Sequence, residues 1–301
     1  MKSVCHKLAP KFIMTLLICL LACHSFVEAQ VSKKEKNALI ALFENTKGES
    51  WVHGWDLNTD VASWHGVRVQ NNKVVGVDLF RNNLSGSLPQ QIGDLKHLEE
   101  LNLAFNNLKG ELPKSIGKLR KLQLLKIEMN QINGPIPTEI GHMGSLEKFI
   151  AFNNFFSGEI PESIGSLSNL QELNLSSNDL VGQIPNGIGA LVKLERLGLF
   201  QNRLNGAIPK QLGNLGQLKE LVLANNDLGG AIPREFGQLA NLEVLQIQNN
   251  NIFSFDNILH LNTTKLLVLD YDREKADSRF KEFEIDKTRM ADTKFEDENI
   301  D

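Results

Sequence analysis

Beyond residue 23 the sequence has no cysteine: all three, Cys5, Cys19 and Cys23, fall near its start. The rest of the chain therefore has no disulfide framework, no thiol nucleophile and no cysteine-based zinc site, and its stability must come from packing. Long apolar runs are also missing. The longest, Phe12 to Cys23, is too short to cross a bilayer core of about 30 Å as a helix, so no transmembrane segment is expected. Positive charge is not in excess: 32 Lys and Arg stand against 36 Asp and Glu, for a net charge of -4. That balance argues against a nucleic-acid partner, and no basic run along the sequence reverses it. The chain lacks HExxH, GxSxG and a phosphate-binding glycine loop, and His53, His65, His97, His142 and His260 are scattered. Nothing announces catalysis, a metal or a cofactor, and a non-enzymatic protein is expected.

What the N-terminus does have is Lys2, Lys7 and Lys11, then the apolar run, then Val27-Glu28-Ala29. This is the pattern of a secretory signal peptide over residues 1–29, with small residue Ala29 at the cut and a mature start at Gln30. A second reading is open: Leu20-Leu21-Ala22-Cys23 approximates a bacterial lipobox, in which Cys23 would be lipidated and would anchor the chain at a surface. Both readings make the protein an exported one, extracellular, periplasmic or cell-surface.

From residue 74 to about 271 one unit recurs every 24 residues. Leu79, Leu103, Ile127, Ala151, Leu175, Leu199, Leu223 and Ile247 fall in one register, and Asn82, Asn106, Asn130, Asn154, Asn178, Asn202, Asn226 and Asn250 in another. Prolines from Pro89 to Pro233 hold a third register, with a glycine four residues after each and another three residues before it. Within a unit, Leu101 and Leu103 alternate with Asn102 and Ala104, which predicts a short strand with leucines inward. No unit can bury its leucines alone, so neighbours must stack into a continuous core. The recurrent asparagine is suited to a buried ladder that pairs backbone groups left free by the turn.

The unit LxxLxLxxNxLxGxIPxxIGxLxx is identified as a leucine-rich repeat, and its IPxxIG half resembles the plant-type subclass. The resemblance implies an α/β solenoid: a curved parallel β-sheet on the concave face, an irregular or 3-10 convex side, eight full repeats and a degenerate ninth. Residues 30–73 read as its N-terminal cap. Ser32 and Glu35 form a capping box, Leu39, Leu42 and Phe43 an apolar stripe, and Gly48 a helix stop, before Trp51, Trp55 and Trp64. The cap resembles those of plant leucine-rich repeat receptor-like kinases and polygalacturonase-inhibiting proteins, but Ala62 and Val69 stand where that family implies a disulfide. Apolar packing by these two residues is expected instead, and the cysteine-free cap is similar to those of bacterial or protist members. Residues 272–301 form a charged C-terminal cap or tail, in which Phe280, Phe283 and Met290 could pack on the last coil. Asp270 and Asp272 lack the glycine and the final acid of a calcium loop.

The outward strand positions supply the candidate site. One column runs Asp78, Asn102, Lys126, Ile150, Asn174, Gly198, Val222, Gln246 and Asp270. The next includes Phe80, Glu128, Phe152 and Phe200, and the residue after it includes Arg81, Phe105 and Met129. Phe80, Phe105, Met129, Ile150, Phe152 and Phe200 are apolar where solvent is expected, and exposed aromatic clusters mark interaction sites. Arg81, Lys126 and Glu128 are their expected polar partners. Nine strands about 4.8 Å apart would offer a face of roughly 40 Å, suited to a protein partner, or to a glycan, rather than to a metabolite. The resemblance implies recognition: binding of a protein through the concave face, or alternatively a surface-anchored adhesin or glycan-binding lipoprotein, or an inhibitor of a polysaccharide-degrading enzyme.

Overall fold

The structure, a computed structural model, describes residues 30–272 and 274. The expected leader with Cys23, Arg273, and the stretch from 275 with Phe280, Phe283 and Met290 lie outside the described residues.

Helix α1 (Lys33–Asn45) opens at Ser32, whose Oγ accepts from the Glu35 backbone N–H at 3.3 Å and donates to Glu35 Oε2 at 2.7 Å. Ala38, Leu39, Leu42 and Phe43 form its buried stripe. The helix ends before the expected stop, at Asn45. Gly48 instead begins a 3-10 turn and makes room for the Phe43 ring, which a Cβ there would approach to 2.1 Å. Phe43, Trp51, Trp55 and Trp64 then stack in series: Trp51 meets Trp55 edge-on at 4.9 Å, and Trp55 lies over Trp64 at 4.8 Å. Each indole N–H finds a carbonyl, of Thr46, His65 and Asp56 respectively, so the aromatic bulk is buried without a polar penalty.

The cap joins the repeats through a hairpin, β1 (Val67–Gln70) antiparallel to β2 (Lys73–Asp78), turned at Asn71 and Asn72, which both have positive φ. The expectation for Ala62 fails here. Ala62 is exposed; its neighbour Val61 fills the core, while Val69 is half-buried against it. The short 3-10 turn at Val61–Ser63 points one residue of the pair inward and the next out.

From β2 onward, three-residue strands such as Glu100–Asn102 and Leu124–Lys126 add in parallel with a strict register of one repeat, building a ten-stranded sheet that ends at Val268–Asp270. A second, eight-stranded sheet runs from Ser85–Gly86 to Asn251–Ser254, which the expectation of an irregular return side did not include. After the proline that recurs from Pro89 to Pro233 a 3-10 turn, for example Lys114–Lys118, forms the convex side. Glycine lets these turns stack closely: a Cβ on Gly117 would sit 2.3 Å from the Glu139 carbonyl oxygen of the next coil. Between the layers lies one continuous apolar core reaching from the Trp cluster to Leu266, Leu269 and Tyr271.

The recurrent asparagines are tied to the backbone of adjacent coils. Asn106 Nδ2 donates to the carbonyls of Leu79, Leu103 and Ala104 at 2.9 to 3.0 Å, and its Oδ1 accepts from the backbone N–H of Asn82 and Leu84. The same pattern of donors recurs from Asn130 to Asn250. At the cap end, Asn82 Oδ1 accepts from His53 N–H at 2.7 Å; at the other end the Asp272 carboxylate accepts from the N–H groups of Asn249 and Asn250. The ladder thus terminates in a carboxylate occupied by backbone donors, while Asp270 accepts from Gln246 Nε2.

Candidate functional site

The concave sheet is narrower and more closely lined than alternation alone implies. Asn102, Ala104, Asn174, Ser176, Gly198, Val222, Ala224 and Gln246, all outward in the sequence reading, are buried. Inward curvature brings side chains of adjacent strands together, and large residues then shelter small ones. Gly198 shows the effect directly: a Cβ there would lie 2.8 Å from Asn174 Oδ1, so the asparagine occupies the space that glycine leaves.

Against this background the large apolar residues stand proud. Phe80, Ile150, Phe152 and Phe200 are half-buried on the sheet. Phe80 meets Phe105 edge to face, with ring centroids 5.2 Å apart. Phe152 and Phe200 follow strands Lys148–Ile150 and Arg196–Gly198, with strand Glu172–Asn174 between them, a separation of about 10 Å. The apolar positions of the first four strands therefore form one group, and Phe200 stands apart.

Two expectations need correction. Arg81, Phe105 and Met129 are not strand positions: each has φ between 48° and 55°, as does every residue that directly precedes a ladder asparagine to within a few degrees. The chain leaves the sheet there through a left-handed turn, which lifts Arg81 and Met129 into solvent. Glu128 is not an exposed polar partner either. Its side chain is fully buried, and Lys126 Nζ lies 3.4 Å from its Oε1. Lys126 itself is half-buried beside it.

Two features of the face were missed. Phe155, directly after ladder residue Asn154, is 53% exposed beside a shallow groove lined by Asn153, Ser177, Asp179 and Gln201. Its signal was in the sequence: the same register otherwise holds Asn83, Asn107, Gln131, Asp179, Arg203, Asp227 and Asn251. The second feature is a row of alternating charge along the entry edge of the sheet, where Lys148, Glu172, Arg196 and Glu220 succeed one another at separations of 3.5 to 3.8 Å. Burial raises the Glu220 pKa, offset in part by Arg196 and reinforced by Glu172 and Glu243. The sign alternates at 24-residue spacing, which is visible in the sequence once that column is read.

Chemically, this face offers apolar side chains, amides and paired charges. Among the described residues no group of three His, Cys, Asp or Glu is arranged to hold a metal, and no helix is long and apolar enough to cross a membrane.

Comparison with known proteins agrees with the fold. A family model for the leucine-rich repeat region matches residues 79–155 and 148–268. Polygalacturonase inhibitor 1 of Arabidopsis thaliana is 32% identical over 96 residues, 29% of this chain and 29% of the inhibitor. The ectodomain of the Arabidopsis thaliana receptor kinase GASSHO1/SCHENGEN3, solved in complex with Casparian strip integrity factor 2, superposes with a TM-score of 0.70 at 35% identity, over 73% of this chain and 27% of that one. A leucine-rich repeat protein of Leptospira interrogans gives a TM-score of 0.58 at 32% identity, over 67% of this chain and 50% of its own. The chain thus spans under a third of the length of the two plant relatives. Its 24-residue register, its asparagine ladder and these matches agree: the chain belongs to the leucine-rich repeat family, in its plant-type form.

Proposed function

We propose that this protein is an exported, non-enzymatic recognition protein that binds a protein or peptide partner through the concave sheet and its exit edge. The observation that carries this reading is the apolar group of Phe80, Phe105, Met129, Phe152 and Phe155, in columns where, Phe200 apart, the other repeats place alanine or polar and charged residues. Met129 and Phe155 are exposed, 37% and 53%, so they contribute little to the fold and are free to contact a partner. The plant receptor ectodomain of similar fold was solved with a bound peptide factor, which supports the class of partner by analogy.

The test compares partner recovery from the native environment by the wild-type protein and by a Met129→Ser/Phe155→Ser variant. Recovery should be lost while thermal stability is kept. Unchanged recovery by this variant and by Phe152→Ser/Phe200→Ser would overturn the reading. The likeness to polygalacturonase inhibitor 1 favours a second reading, inhibition of a polysaccharide-degrading enzyme. Titration of such hydrolases with the protein distinguishes it: dose-dependent loss of hydrolysis makes the partner an enzyme.

A further inference from the structure

Several charged side chains on this solenoid are paired across repeats, as Arg68 with Glu100, Arg196 with Glu172 and Glu220, and Lys219 with Glu195. Elsewhere cations gather without such pairing. On the convex side of the first three repeats, Lys96, Lys114, Lys118 and Arg120 line a single groove of about 580 Å3, together with His142 and one acid, Glu139. All four cations are exposed, and among the described residues none of them has an ion-pair or hydrogen-bond partner. On a chain of net charge -4 such a cluster is a local inversion of sign, held in place by the fold. Three of its cations, Lys114, Lys118 and Arg120, lie within one short stretch of sequence, and the fold adds Lys96 from the coil before and His142 from the coil after.

Cations left together repel one another, so the arrangement gains most from an anion that bridges them. The lining indicates the kind of anion. Every one of its nine residues is polar or glycine, so the apolar surface it shows is that of side-chain stems, and no aromatic or aliphatic residue lines it. Lys96 and Arg120 occupy equivalent positions of consecutive coils, as do Lys118 and His142, so donors recur along the groove at the coil spacing of about 5 Å. That interval matches the advance of one pyranose unit. Arg120 can engage a carboxylate or sulfate with two parallel N–H donors, and the lysines act as point charges.

We propose that this convex groove binds an anionic glycan, a short run of sugars bearing carboxylate or sulfate groups. The site is separate from the concave face, so it can work whether or not that face has the partner argued above.

The experiment measures binding of four labelled hexamers to the full chain at two salt concentrations: a heparin-derived sulfated hexasaccharide, a hexauronate, neutral maltohexaose and hexaglutamate. The anionic sugars should bind, more weakly at high salt, and maltohexaose should not. A stronger response to the sulfated probe assigns sulfate, and to the hexauronate, carboxylate; either outcome supports the site. Lys118→Gln/Arg120→Gln should weaken that binding by about tenfold or more, whereas the control Lys210→Gln/Arg234→Gln, on later coils, should not. The proposal is overturned if Lys118→Gln/Arg120→Gln binds as the wild type does, if neither anionic sugar binds, or if hexaglutamate binds as tightly as the sugars. Met129→Ser/Phe155→Ser serves as a cross-check: it leaves glycan binding intact, so failure of the concave reading is read separately.

Discussion

Lys126 Nζ lies 3.4 Å from Glu128 Oε1, and the carboxylate it faces is fully buried although both residues belong to the concave side of the sheet. A buried carboxylate is tolerated only with a counter-charge, and removal of the cation leaves the cost of desolvation uncompensated. Lys126→Met should therefore lower the unfolding free energy by about 3 kcal/mol, read from denaturant titration. The pair Lys126→Met/Glu128→Gln should recover much of the loss, since the amide carries no charge to desolvate. A double variant no more stable than Lys126→Met would show that the lysine stem, and not its charge, supports the sheet.

The ladder makes a sharper demand on chemistry. Asn130 Nδ2 donates to the carbonyls of Leu103, Ile127 and Glu128, and its Oδ1 accepts from Leu108 N–H. Asn130→Ala strands these buried backbone groups, at a cost of about 3 kcal/mol. Asn130→Asp keeps the shape but turns the donor into an acceptor among three carbonyl oxygens. Its destabilisation should exceed that of the alanine at pH 7 and shrink as the pH falls and the introduced carboxylate takes up a proton. Equal stability of the aspartate variant at pH 4 and pH 7 would contradict this account.

How far these features could be read beforehand depends on what each residue does. Leu101, Leu103 and the asparagines were legible because they repeat one backbone task in every coil, so spacing alone exposes them. Phe105 and Met129 were counted as outward strand positions because the strand was carried one residue past Ala104 and Glu128, whereas the chain turns left-handed there; Asn153, Asn225 and Asn249 in the same register were the available sign of that turn. The burial of Glu128 follows from curvature, a property of the stacked whole that no single repeat encodes. The basic groove was half legible, since Lys114, Lys118 and Arg120 are near neighbours in sequence; what stacking adds is Lys96 and His142 from the adjoining coils.

Glu220 gives the charge row a measurable pH signature. Burial raises its pKa above the ordinary 4.5, outweighing the pull of Arg196. A carboxyl raised on folding contributes stability that is complete below its unfolded pKa and is lost as pH rises through the folded value. Glu220→Gln removes that loss. The variant should melt higher than the wild type near pH 7, with the difference shrinking as the pH falls below about 4.5. A gain that is constant across this range would place its origin in packing rather than ionisation.

Met129 separates stability from recognition most cleanly. Its φ of 55° is a conformation in which a bulky side chain is strained by about 1 kcal/mol, whereas asparagine adopts it readily, as Asn153 does one repeat later. Met129→Asn should therefore raise the melting temperature, by a few degrees at most, while removing an exposed apolar contact from the proposed interface. Phe105→Asn relieves the same strain but gives up the edge contact with Phe80, so its net gain should be smaller. A Met129→Asn protein that is more stable and still binds its partner would mean that methionine sits in this turn for neither purpose. A more stable protein with weakened binding would show strain retained for recognition.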